Sequence, residues 1–84
     1  MEEYKGFRAD RLKKAMEENG ATVEDIAKSL YEVFGLVEMD FACECAKALI
    51  NKEDYNIPAG ELYAACKAAN VSADYILGLS DEMY

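Results

Sequence analysis

The stretch "RLKKAMEENGATVEDIAKSL", Arg11 to Leu30, decides the fold. Leu12, Ala15 and Met16 recur at helical spacing, and the pattern halts at Asn19-Gly20, a helix stop. Thr22 follows, with Asp25 three residues later, the capping-box pattern that opens a new helix. Val23, Ile26, Ala27, Leu30 and Phe34 then repeat on one face until Gly35. Two amphipathic helices joined by a tight turn are predicted, the first from about Lys5 to Glu18.

The same punctuation continues downstream. "EMDFACECAKALI", Glu38 to Ile50, predicts a third helix with Phe41, Cys45, Ala48 and Leu49 inward and Asp40, Cys43, Glu44 and Lys47 outward. "NKEDYNI" is a polar loop. Pro58 suits the first turn of a fourth helix, whose inward residues are Leu62, Ala65, Cys66 and Ala69. Asn70 ends it, Ser72 caps a short fifth helix, and Gly78 closes that. No strand pattern competes and no repeat is visible. Helices this short are marginal alone and must pack on one another. The expected fold is a compact all-α five-helix bundle, residues 1–84 forming one domain.

Composition bounds the function. A chain of 84 residues buries only roughly 60–65% of its unfolded surface, enough for one small core. No apolar run approaches the roughly 18 residues of a membrane span, and "MEEYKGFR" contains no signal-peptide core, so a cytoplasmic protein is expected. Seventeen acids against nine bases give −8. Residues 1–14 carry five bases (Lys5, Arg8, Arg11, Lys13, Lys14) and three acids (Glu2, Glu3, Asp10), a net +2, so the remainder carries −10. Nonspecific nucleic-acid binding draws on cations replacing phosphate counterions, and such a balance opposes it.

Three cysteines (Cys43, Cys45, Cys66) in a chain with no export signal point to reduced thiols. Histidine is absent, and Cys43 and Cys45 lie about 200° apart on a helix, so neither a metal nor another cofactor is expected. Without histidine, and without a catalytic partner for any cysteine, no enzyme activity is expected.

The segment "IPAGELYAACKAANVSADYILGLSDE", Ile57 to Glu82, resembles the C-terminal part of lambda-repressor-like helix-turn-helix domains of the xenobiotic-response-element type, most specifically in "VSADYILGLSD". Arg11 to Leu30 is similar to the first two helices of that family. The resemblance implies a five-helix domain whose third helix enters the DNA major groove, acting as a dimeric operator-binding repressor of a phage or mobile element. Position by position, the chain departs from that pattern. Val23 stands where the family usually has a phosphate-holding glutamine. "YEVFGLVEMD" lengthens the turn between the second and third helices. The loop before the fourth helix carries Glu53 and Asp54 beside Lys52, and the third helix offers Asp40, Cys43, Glu44 and Lys47 where base-reading residues are expected.

A carboxylate about 6 Å from a phosphate in water is repelled by roughly 0.7 kcal/mol. Glu38, Asp40, Glu44, Glu53 and Asp54 would each face several phosphates, and the sum rivals the roughly 4–10 kcal/mol that separates specific from nonspecific binding. The favoured expectation is therefore a protein partner with a basic surface, met by Glu38, Asp40, Cys43, Glu44, Lys47, Glu53, Asp54 and Tyr55. Tyr31 and Tyr63 are further possible anchors. In size and charge the chain resembles small phage-borne inhibitors such as anti-CRISPR proteins and antirepressors. The alternative is a DNA-binding regulator, a homodimer that meets the backbone through Arg8, Arg11 and Lys14 of the first helix.

Overall fold

The computed structural model describes residues 6–35 and 38–84. Among them are five helices and no strand: α1 (Ala9–Asn19), α2 (Val23–Phe34), α3 (Met39–Ile50), α4 (Ala59–Ala69) and α5 (Ala73–Ile76). The all-α expectation is met. No helix among the described residues is long and apolar enough to cross a membrane.

Local punctuation works as the residue types dictate. α1 stops because Gly20 turns left-handed at φ 70° and returns its N–H to the Met16 carbonyl. At the start of α2 the Thr22 hydroxyl accepts from the Asp25 N–H at 3.2 Å, while the Thr22 N–H donates to the Asp25 carboxylate at 2.8 Å. That reciprocal cap satisfies two N–H groups that a helix end otherwise leaves open. Asn70 takes the left-handed conformation (φ 54°) that ends α4, and the Ser72 hydroxyl accepts from Tyr75 N–H to open α5.

α1 begins four residues later than the predicted start at Lys5, a residue outside the described set. The cause is tertiary. Phe7 N–H donates to the Tyr55 carbonyl at 2.9 Å and Arg8 N–H to the Ile76 carbonyl at 3.0 Å. These bonds hold the approach to α1 extended between the loop after α3 and the end of α5. Gly6 makes this possible, with φ 100° and a backbone so close to Tyr55 that a Cβ would sit 2.5 Å from its carbonyl oxygen. The Phe7 side chain is thereby driven into the core.

α2 is the central element. It packs against α3 on one side and α4 on the other, while the backbones of α3 and α4 stay apart. α1 crosses α3, α4 and α5. Phe7, Leu12, Ile26, Leu30 and Ile76 are the large, fully buried side chains, each contributing about 1.5–3 kcal/mol by leaving water. Much of the remaining core is alanine: Ala15, Ala27, Ala42, Ala46, Ala64, Ala65 and Ala69 are all inaccessible. The Ser29 hydroxyl, buried between α2 and α4, donates to the Ala64 carbonyl at 2.7 Å, so this polar group is satisfied.

The inward face of α3 is corrected. Leu49 is buried as expected, but its companions are Ala42 and Ala46. Phe41 is 58% exposed, Ala48 is exposed, and Cys45 is half-buried. Both stripes share the i, i+4, i+7 spacing, so periodicity alone does not choose between them. The alanine stripe lets α2 and α3 approach closely, and the bulkier stripe is rotated to the flank. Cys43, expected outward, is half-buried as a result. In α4, Ala64 joins Ala65 and Ala69 in the core, while Leu62 and Cys66 are only half-buried. Phe34 at the end of α2 is 47% exposed. The expected lengthening of the turn between α2 and α3 is corrected as well. α2 runs to Phe34 and α3 starts at Met39, so four residues join them, because Tyr31–Phe34 and Met39–Asp40 of "YEVFGLVEMD" belong to the helices. Leu36 and Val37 lie outside the described residues.

The C-terminal segment is tied back to the helices. Ser72 N–H donates to the Met83 carbonyl at 2.6 Å, and the Tyr84 hydroxyl bonds the Asn19 side chain. The centre of this attachment is Arg11. Its guanidinium donates to the Tyr75 carbonyl at 3.0 Å, the Ser80 carbonyl at 2.6 Å and the Asp81 carboxylate at 2.9 Å. It also lies 4.6 Å above the Tyr75 ring.

Candidate functional site

The outer surface of α3 is where the predicted partner-binding residues collect. Asp40, Glu44 and Lys47 share one side at i, i+4 and i+7, and all three are exposed. Lys47 reaches Glu44 only at 4.0 Å with both side chains largely in water, an ion pair of little strength. Glu38 stands exposed at the N-cap of α3, where its side chain makes no capping bond. Among the described residues, Glu38 and Asp40 have no cationic partner. The open N-terminus of a helix ordinarily favours an anion, and here two carboxylates already stand beside it.

The other members lie at the opposite end of α3, about 18 Å away along a helix of this length. Lys52 pairs with Asp54 at 3.2 Å, and Asp54 also accepts from the Asn56 N–H at 3.1 Å. Glu53 and Tyr55 are exposed. This loop meets the start of α1 around a cavity of about 320 Å³ lined by Arg8, Asp10, Lys13, Lys52, Glu53 and Asp54, floored by Phe7 and Ile50. Seven of the eight predicted residues thus form two groups. The group on α3 is acidic, whereas the loop group stands among cations that balance it. Cys43 belongs to neither, being half-buried on the flank of α3.

The three cations of the alternative reading are also separated. Arg8 pairs with Asp10 at 3.3 Å. Burial pushes the Asp10 carboxyl up, but the hydrogen bond and charge of Arg8 outweigh it and hold the group below its ordinary value. Arg11 is turned into the C-terminal attachment, its side chain only 18% exposed. Lys14 alone of the three is an exposed cation without an ion-pair partner among the described residues. No continuous basic stripe therefore runs along α1.

Beside the acidic face lies a feature that sequence reasoning missed. Leu30 and Phe34 of α2, Cys45 of α3, and Pro58 and Glu61 at the start of α4 line an apolar channel of about 210 Å³. Cys45 of the lining belongs to the Phe41–Cys45–Ala48 stripe, which the periodicity assigned to the core. Phe34 reaches across the first turn of α4 because residue 60 is glycine, where a Cβ would lie 2.7 Å from the end of the phenyl ring.

Burial pushes the Cys66 thiol up to about 11, so it stays protonated at neutral pH. No group of three or more His, Cys, Asp or Glu side chains among the described residues is arranged to hold a metal ion. No protein-family model, curated protein or solved structure matches the chain.

Proposed function

We propose that this chain is a protein-binding module whose α3 surface engages a basic, nucleic-acid-binding surface of its partner, in the manner of a phage or mobile-element inhibitor of the anti-CRISPR or antirepressor type. The observation that carries the reading is the sign of the exposed α3 face. Glu38, Asp40 and Glu44 are in water, and Lys47 is the one cation on that helix. Complementary charge steers association and selects partners, and a carboxylate face can occupy the place where phosphates would lie. The scaffold itself is read as a lambda-repressor-like helix-turn-helix domain, on the strength of Ile57–Glu82 and Arg11–Leu30.

A low-salt gel shift with random and native-locus duplexes should show no complex. Pull-down from host lysate should recover one specific partner, and Asp40→Lys with Glu44→Lys should weaken its capture. Clear duplex binding with no protein partner would overturn the proposal in favour of a DNA-binding dimer, the reading that the "VSADYILGLSD" resemblance supports.

A further inference from the structure

The apolar channel follows from the way α2 holds its neighbours apart. Leu30 and Phe34 form its floor, Cys45 one wall, and Pro58 with Glu61 the other. The backbones of α3 and α4 stay apart, and the cavity lies between Cys45 of the one and Glu61 of the other. An apolar cavity of about 150 Å³ is enough to hold benzene, so a channel of about 210 Å³ admits one aromatic or branched aliphatic side chain. Phe41, one turn before Cys45 on α3 and 58% exposed, adds apolar surface on the same flank of that helix.

The rims are predominantly acidic, with Lys47 as the one cation on the α3 side, only 4.0 Å from Glu44 and largely in water. Glu61 is the charged residue of the lining. Glu44, three residues beyond Phe41 and so adjacent to it on the helix surface, is exposed on the α3 side. Asp40 stands one turn before Glu44 on the same face. An apolar floor between two acidic rims selects an occupant with an apolar stripe flanked by cations.

We infer that this channel receives a short amphipathic helical segment of the partner, with a Leu or aromatic anchor over Phe34 and Cys45 and Lys or Arg side chains reaching Glu61 and Glu44. The inference rests on the protein-binding reading of α3 and names the chemistry that reading requires. A helix suits the site because the channel runs between helices and no sheet edge exists among the described residues for strand addition. A second copy of this chain is the wrong occupant. At −8 per chain, pairing the two channel faces would set Glu44 and Glu61 against their own copies.

Two labelled synthetic peptides of identical composition test this. One places Leu at i, i+3 and i+7 around a central Phe with Lys elsewhere, and the other has the same residues scrambled. Each is titrated into the isotope-labelled full chain, followed by fluorescence anisotropy and amide chemical shifts. The patterned peptide should bind at least tenfold tighter than the scrambled one, with shifts gathered at Phe34, Cys45 and Glu61. Phe41→Ser and Glu61→Lys, both outside the sealed core, should each weaken it severalfold while leaving the far-UV circular dichroism unchanged. Equal affinity for the two peptides, no binding of either, or shifts confined to Asp40, Glu44 and Lys47 would overturn the channel. Equal, salt-sensitive binding abolished by Asp40→Lys with Glu44→Lys would leave the acidic face standing without the channel. Indifference of both peptides to that double reversal would remove the reading of the face itself.

Discussion

Arg11→Ala should be among the most damaging substitutions outside the apolar core. The side chain is 18% exposed, and its guanidinium holds the Tyr75 and Ser80 carbonyls at 3.0 and 2.6 Å. Hydrogen bonds to a charged group contribute about 1.5–3 kcal/mol each. Stacking over Tyr75 at 4.6 Å adds about 1 kcal/mol. The bond to Asp81 adds little, because that carboxylate is 94% exposed and such pairs contribute about 0–1 kcal/mol. These interactions share one side chain and are not additive, and the freed carbonyls regain water as the segment loosens. A net loss of about 2–4 kcal/mol is expected on those magnitudes. For a domain of this size each kcal/mol shifts Tm by about 4–8 °C, so the drop should be roughly 8–32 °C. Urea unfolding followed by far-UV circular dichroism measures it directly. Asp81→Ala should cost well under half as much. Arg11→Lys should fall between, since one ammonium cannot serve both carbonyls and the ring. If Arg11→Ala costs no more than Asp81→Ala, the guanidinium is a surface cation, and the Arg8–Arg11–Lys14 stripe becomes available to a phosphate backbone again.

Thr22→Ala should cost about 1 kcal/mol by removing the α2 cap, measured by the same urea titration. Asp25→Ala should be pH-dependent. The Thr22 N–H and hydroxyl hold this carboxyl below its ordinary value, so its contribution is complete above the ordinary carboxylate range near pH ~4 and fades as pH falls through the lowered folded value. A gap between wild type and variant that persists far into acid would refute that. Gly60→Ala trades a poor helix former for a good one, a gain of up to about 1 kcal/mol, against displacement of the exposed Phe34 ring. A higher Tm together with weaker binding of the patterned peptide is expected, and a large destabilisation would show that Phe34 cannot move. Cys66 should resist thiol reagents. With its value near 11, about one molecule in a thousand is thiolate at pH ~8, so alkylation at the rate of a free small-molecule thiol would contradict its burial.

Helix count and punctuation were legible in the sequence because they are local. Gly20, Gly35, Asn70, Thr22 and Ser72 act through their own φ or their own side-chain oxygen, within three or four residues. The start of α1 was hidden, since bonds from Phe7 and Arg8 to Tyr55 and Ile76 join distant parts of the chain. The roll of α3 was hidden for another reason: its alanine and Phe41–Cys45 stripes have the same spacing, and only the partner helix breaks the tie. At the candidate site, Asp40, Glu44 and Lys47 were readable as exposed because they are charged. Cys43 was not, and the division of Glu53, Asp54 and Tyr55 from the α3 group depends on the loop folding toward Arg8 and Lys13. The role of Arg11 was invisible, because Tyr75, Ser80 and Asp81 lie far along the chain.

The seven inaccessible alanines have a consequence for how this molecule can change over generations. Every single-base change in an alanine codon that alters the residue yields Val, Thr, Ser, Pro, Gly, Asp or Glu. At these seams such changes add bulk with nowhere to go, at about 1–3 kcal/mol, import a polar group, or strain or loosen the backbone. The bundle is therefore frozen to drift from within, while the outward residues of α3 can be rewritten with little effect on folding. A lineage under pressure to follow a moving target has a scaffold that stays put and a face that is free to vary.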